Sequence, residues 1–196
     1  MIHPDTELRF INSEIGYGVV ATKFIPKGTI TWVQDKLDRV FSPMQIDEMG
    51  AEYQNILSTY CYRNNAGHYV LCWDNGRFVN HSFNSNCIST AYDFEFAVRD
   101  IQAGEELTDD YGYLNITEPF RAMDEGKRRK NVYPDDLVKY HKVWDKKLEA
   151  AFKYYPKVVQ PLAMLLSEET RHLCHQIAVG DEKMSSILTC YFDPSK

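Results

Sequence analysis

A β-rich domain of several small sheets, followed by an α-helical C-terminal region, is the fold class this sequence predicts. Two observations carry it. Between residues 8 and 112, short apolar runs recur at roughly ten-residue spacing, with Gly-, Pro- and Asn-bearing turns between them. From Thr117 onward the turn residues thin out and apolar residues recur at intervals of three and four. A chain of 196 residues can bury a core large enough to need no covalent staples. The division expected is therefore 1–116 and 117–196, with a helical insert at about 40–58 in the first part.

Taken in order, Leu8 to Ile11 reads as a first strand. Asn12-Ser13-Glu14-Ile15-Gly16-Tyr17-Gly18 reads as a turn, and Val19-Val20-Ala21 as the returning strand. Two glycines at that spacing let the backbone take positive φ or come close to a ligand. Pro26-Lys27-Gly28 fits a type II turn leading into a strand at Ile30 to Val33. Ser42-Pro43 with Gln45 marks a helix start, and Ile46, Met49, Tyr53, Ile56 and Leu57 follow at helical spacing. Tyr60-Cys61-Tyr62 and His68 to Cys72 flank an Asn64-Asn65-Ala66-Gly67 hairpin turn, and Ser89–Tyr92 and Phe94–Val98 read as strands around Asp93. Thr117-Glu118-Pro119 predicts a helix start. A long helix is expected after Pro134, with Leu137, Tyr140, Trp144, Leu148, Ala151, Phe152 and Tyr155 on one face. Val158 to Val179 predicts another, stopped by Gly180, and Asp181 to Tyr191 a short last one.

Composition narrows the function classes. An apolar share of 44% and a charged share of 26% are those of an ordinary globular protein, expected to be soluble and intracellular. No run approaches the length of a membrane span, and the first residues lack a signal-peptide layout. The five cysteines, Cys61, Cys72, Cys87, Cys174 and Cys190, are scattered without CxxC spacing. Neither a disulfide framework nor a structural zinc site is expected. The net charge of −6 argues against a broad nucleic-acid face and suits a basic partner, lysine-rich peptides being one such class.

Two polar, turn-rich stretches stand out because apolar runs flank both. They are Arg77-Phe78-Val79-Asn80-His81-Ser82 and Gly104-Glu105-Glu106-Leu107-Thr108-Asp109-Asp110-Tyr111-Gly112. Loops of that kind on a rigid scaffold commonly carry chemistry. Together with Gly16-Tyr17-Gly18 and the Ile25-Pro26-Lys27-Gly28 turn they make four blocks in order. In this the chain resembles the SET-domain protein lysine methyltransferases over roughly residues 7–115. Outside the likeness fall the middle insert and the C-terminal third.

The resemblance implies a β-clip-like fold of small sheets, in which the two polar stretches pack as a pseudo-knot. It implies S-adenosylmethionine as cofactor, with Gly16, Tyr17 and Gly18 against its methionine end, Asn80 on its amino acid end, and the His81 backbone reading the adenine. Arg77 and Tyr111 complete the expected cofactor set, and Tyr111 is the expected catalytic tyrosine. Tyr60, Tyr62, Asp109 and Tyr113 are the expected channel for a lysine of a protein or peptide substrate, histones being the habitual example. Methyl transfer to an amine needs alignment and desolvation rather than a metal, and aromatic walls suit cationic groups.

Three departures matter. Phe83 stands where many members carry a zinc-ligating cysteine, and no cysteine-rich tail follows, so no metal is expected. The C-terminal helices would then close the channel, with Phe120 or Tyr133 as a cover for the adenine. Asp109 stands two residues before the catalytic tyrosine, where Phe or Tyr is common. No zinc-rich preceding domain is expected, and substrate choice is then expected to come from the insert and the C-terminal helices. These departures leave open a second reading, a SET-fold peptide-binding module without transfer activity, and a third in which the C-terminal helices mediate self-association. His172-Leu173-Cys174-His175 reads as helix surface rather than a metal site, and Lys127-Arg128-Arg129-Lys130 as a solvated helix end.

Overall fold

In the computed structural model, which describes residues 1–194, the two halves differ as the punctuation predicts. The strands and helices in order are β1 (Thr6–Asn12), β2 (Gly16–Ala21), β3 (Ile30–Val33), β4 (Arg39–Phe41), α1 (Pro43–Asp47), α2 (Ala51–Tyr60), β5 (Cys61–Arg63) and β6 (Tyr69–Leu71). Then come β7 (Asn80–His81), β8 (Cys87–Ser89), β9 (Phe94–Ala97), β10 (Thr108–Asp109), β11 (Phe120–Arg121), β12 (Asn131–Val132), α3 (Asp136–Phe152) and α4 (Glu168–Val179). They form five small sheets: β1-β2, β4-β6-β5, β3-β9-β8, β11-β12 and β7-β10. Every pairing is antiparallel except β7 with β10.

The first hairpin turns one step earlier than the glycines suggest. Gly16 to Gly18 lies inside β2, and Gly16, at φ +83°, pairs with Asn12 where the register shifts. Asn12 makes the turn, its side-chain oxygen accepting from Glu14 N and Ile15 N at 2.9 Å. The Pro26-Lys27-Gly28 turn closes with Thr29 N on Pro26 O, and Gly28 has φ +84°. The insert is two helices, not one: Ser42 caps α1 through a reciprocal pair with Gln45, and Gly50 separates it from α2.

Two apolar cores result. The larger packs β3, β9 and β8 against α3, through Phe94, Phe96, Trp144, Leu148 and Phe152. The Phe96 and Phe152 rings meet edge to face at 4.8 Å. The smaller core lies under β2 and the polar stretches, with Val19, Ile25, Val79, Ile101 and Leu107. Gln160 ties the halves together. Its oxygen accepts from Ile30 N at 2.9 Å, and its nitrogen donates to Gly28 O and Tyr155 O.

The C-terminal part is less helical than the spacing predicts. No helix starts at Thr117. Residues 120–132 form the β11-β12 hairpin, because Ala122 N bonds Lys130 O across it. Of the span Val158–Val179 only α4 is α-helical, beginning at its Ser167 cap. Ile187–Cys190 is a single 3-10 turn. The helix expected after Pro134 is α3; of the predicted face Leu137, Trp144, Leu148, Ala151 and Phe152 are buried, Tyr140 is exposed, and Tyr155 lies beyond the helix in a 3-10 turn.

Candidate active site

Asp74 starts the first polar stretch. Its carboxylate accepts from Gly76 N at 2.9 Å and Ile2 N at 2.7 Å, fixing a 3-10 turn over Asn75–Phe78. The chain then extends as β7, where Asn80 pairs with Thr108 and His81 with Asp109 of β10 in parallel. Asn86 joins the same two segments, donating to Glu106 O at 2.7 Å and accepting from Thr108 N at 2.8 Å. Beyond β10, Asp110 caps a 3-10 turn of Tyr111–Tyr113 by accepting from Gly112 N. The two stretches found in the sequence thus form one unit.

Around that unit lie two regions. On one side, Asn80 donates to Tyr17 O at 3.0 Å and Glu106 Oε1 at 2.7 Å, which brings the Gly16–Gly18 segment to the polar unit. A Cβ at Gly18 would fall on Glu106 Oε1, Asn80 Nδ2 and Ile11 Cγ1. The His81 ring neighbours Phe83 at 4.5 Å, Tyr111 at 5.4 Å and Phe120 at 5.6 Å. His81 Nδ1 accepts from Tyr111 N at 3.1 Å, so Nε2 carries the ring proton. That Nε2 is buried without a partner. Burial pushes the imidazole down to about 4, and it is neutral at physiological pH.

On the other side is a cavity of about 420 Å³. The end of α2 and β5 supply Tyr60 and Tyr62, β3 supplies Trp32, and Phe120 and Tyr111 face them. Tyr60 packs on Phe78 at 5.3 Å, and Tyr62 on Trp32 at 6.0 Å with its hydroxyl on Gln34 Oε1. Asp109 and Arg77 also line this cavity. Arg77 donates to Trp73 O at 2.9 Å. Tyr113 lies elsewhere than expected. It lines a smaller cavity behind, and its hydroxyl sits 2.9 Å from Asp109 Oδ1 and 3.0 Å from Cys87 O.

Tyr111 belongs to both sides. Its ring adjoins His81 and Phe120, while its hydroxyl, in the cavity wall, donates to Val79 O at 2.8 Å. Burial, with Asp109 and Glu106 nearby, pushes the phenol well up, so it stays an intact hydroxyl. Among the described residues no group of three or more His, Cys, Asp or Glu could hold a metal ion, and no helix is long and apolar enough to cross a membrane.

Sequence reasoning missed two contributors. Arg129, expected in a solvated run, is largely covered. It pairs with Asp110 and with Asp136 of α3, and lies over Phe83 at 4.6 Å and Tyr140 at 4.8 Å. Glu95 lines the cavity. The charge inside the apolar run Phe94-Glu95-Phe96 was the available signal for Glu95. Phe120, a candidate by proximity, does reach His81, whereas Tyr133 packs against Lys139.

Residues 16–112 match the SET domain family. No curated protein matches the chain. Among solved structures it is similar to a Plasmodium falciparum protein provisionally named a histone methyltransferase. The identity is 19% and the TM-score 0.43, over 56% of this chain and 95% of that one.

Proposed function

This chain is a SET-domain protein, and from that premise we propose that it is an S-adenosylmethionine-dependent protein lysine N-methyltransferase. The observation that carries the reading is Tyr111, whose ring adjoins the His81–Phe120 cluster while its hydroxyl stands in the wall of an aromatic cavity. A group at such a junction touches whatever occupies either side.

The residues present fit the cofactor. The unpartnered His81 Nε2–H and the neighbouring Phe83 and Phe120 rings suit a flat, polar-edged base. The absence of a Cβ at Gly18, and Asn80 with the Glu106 carboxylate beside it, suit an amino acid end with a positive charge. Gly16, Tyr17, Gly18, Asn80 and His81 would hold it. Tyr111 would adjoin it, and Arg77 would shape the opposite wall. When bound, the cofactor supplies a methyl group on a sulfonium, ready for in-line displacement by an amine.

What the chain's own residues contribute follows from their bonding. The Tyr111 hydroxyl spends its hydrogen on Val79 O, so its oxygen presents only lone pairs to the cavity. It accepts an N–H from an entering amine and fixes the direction of the nitrogen lone pair. Tyr60, Tyr62 and Trp32 exclude water from that amine and favour it while cationic. Alignment of this kind is worth ~7–11 kcal/mol in favourable cases.

The test is methylation of core histones and a whole-cell lysate, read by mass spectrometry, beside Tyr111→Phe. The wild-type protein should methylate lysine, and the variant should lose transfer while still binding the cofactor. Full activity in the variant sinks the assignment. A second reading, the peptide-binding module, is favoured by Asn80, whose two amide hydrogens are already engaged within the protein. Calorimetry with S-adenosylmethionine and its demethylated product separates the two, since a module would show no heat of binding.

A further inference from the structure

β9 buries all four of its residues, and one of them is a glutamate. Glu95 stands between Trp32 across β3 and Ser89 across β8. Its carboxyl takes the Ser89 hydroxyl at 3.0 Å and shares a hydrogen bond with Asp109. Two adjoining buried carboxyls cannot both ionise. Burial first, then Asp109, raises Glu95, which keeps the shared proton. Burial lifts Asp109 to about 6, against the hydroxyl of Tyr113 and the proton of Glu95, which favour its ionised form. Near neutral pH the pair therefore holds one proton and one negative charge.

No cation among the described residues is paired with the two carboxyls: the cavity's guanidiniums, Arg63 and Arg77, donate to Asn115 O and Trp73 O, and its other charged group, Glu118, is acidic. The groups facing the pair are the Tyr113 hydroxyl, the Cys87, Cys72 and Tyr62 side chains, Asp110, and at longer range the amino terminus, itself paired with Asp35. Among the described residues no Lys, Arg or His forms an ion pair with Glu95 or Asp109. A buried, uncompensated carboxylate is strongly unfavourable unless a cation reaches it. Both carboxyls line the 420 Å³ cavity, and so does the buried Trp32, whose Nε1–H has no partner. That orphan marks the same wall as a place for a polar atom, since buried donors are seldom left unpaired.

We propose that Asp109 and Glu95 form an amine-binding site in the cavity wall, where Asp109 hydrogen-bonds the amino group of the acceptor and takes its proton. The inference deepens the reading of the cavity as an acceptor channel and rests on it. In the step, an ammonium N–H bond breaks with its electron pair left on nitrogen, and an O–H bond forms on Asp109. The nitrogen becomes the neutral nucleophile that methyl transfer needs, and the proton passes to solvent when the cavity empties. Glu95 is the positioning residue, keeping its proton while donating a hydrogen bond to Asp109 and holding it toward the cavity.

Three probes of one length test this without any cofactor: n-butylammonium, n-butanol and n-butyltrimethylammonium, followed by the indole N–H resonance of Trp32. Butylammonium should bind saturably at pH 8. The alcohol, which lacks the charge, and the quaternary ion, which lacks an N–H, should each bind at least tenfold more weakly. In the wild-type protein, butylammonium affinity should fall about tenfold as pH drops from 7 to 5, as Asp109 takes up a proton. Asp109→Asn should weaken binding at pH 8 to the level of the alcohol. Equal binding of the quaternary ion, or wild-type affinity flat across pH 5–7, overturns the proposal even if the variant misfolds. Methylation of a lysine peptide is scored separately. Amine selectivity without transfer leaves this site standing and removes the transferase reading, whereas transfer without amine selectivity does the reverse.

Discussion

Arg129 is the place where the helical region is bolted to the site, and Arg129→Met removes the bolt while keeping an apolar stem. Asp110, at 3% side-chain exposure, and Asp136, at 2%, both lose their partner. Removing one member of a buried pair costs ~3–5 kcal/mol, because the carboxylates left behind remain desolvated. The guanidinium itself is 18% exposed, so solvent screens part of the attraction and sets the expectation near ~3 kcal/mol. The lost stacking over Phe83 and Tyr140 adds ~0.5–1 kcal/mol per ring, part of which methionine restores. Urea unfolding at pH 7, with slopes compared to confirm the same transition, measures the total. The pH dependence is the stricter check. Burial raises Asp110 above the usual carboxylate range and Arg129 opposes it. A folded-state value raised further in the variant gives stability that is present at low pH and lost as pH rises. The deficit should therefore shrink between pH 7 and pH 4. A loss below ~1 kcal/mol, the range of an exposed pair, or a deficit independent of pH, would refute the reasoning.

Other perturbations have equally definite outcomes. Gly28→Ala should cost ~2–5 kcal/mol, since Gly28 has φ +84° and the new Cβ would lie 2.6 Å from Tyr154 Cβ and 2.8 Å from Ala151 O; thermal unfolding reads it. Gln160→Leu strands Ile30 N, Gly28 O and Tyr155 O, and should lower unfolding stability by ~2–4 kcal/mol. The thiols should be inert in the native state, burial pushing Cys61 and Cys190 up to about 11 and Cys174 up to about 12. Iodoacetamide at pH 8 should label them only after denaturation, and rapid native labelling of more than one would contradict their burial.

The half of the chain built on turns was the more legible. Gly28, Gly67 and Asp93 stand at positive φ where the chain reverses, and such positions announce themselves through residue type alone. The predicted face of α3 was readable for a similar reason, since five of its residues are buried at helical spacing. Residues 158–167 have helix-forming composition, but Pro161 and the anchoring of Gln160 to the sheet hold them in tighter turns, a tertiary override that spacing does not display. At the site, Asn80, His81 and Tyr111 were found because they lie in two compact polar words. Glu95 and Arg129 were missed because each acts from a different segment, and only packing brings them to the cavity or to Asp110. Tyr113 was placed on the wrong side because the 3-10 turn capped by Asp110 directs alternate residues to opposite cavities.

The parallel pairing of β7 with β10 encloses the β8-β9 hairpin as a side excursion of the chain. The hairpin has its own ladder to β3, and its tip is held elsewhere: Asp93 O accepts from Gln34 N, the Tyr92 hydroxyl from Ser185 N, and the Tyr92 ring packs on Phe152. Extra residues inserted at that tip would disturb those contacts rather than the two strands that carry Asn80 and Tyr111. One residue added between Gly104 and Leu107 would instead slide β10 past β7 and turn Asp109 away from the cavity. For anyone grafting a tag, a reporter or a second domain onto this scaffold, the hairpin tip would cost contacts with the C-terminal region, whereas the segment from Gly104 to Leu107 would cost the site itself.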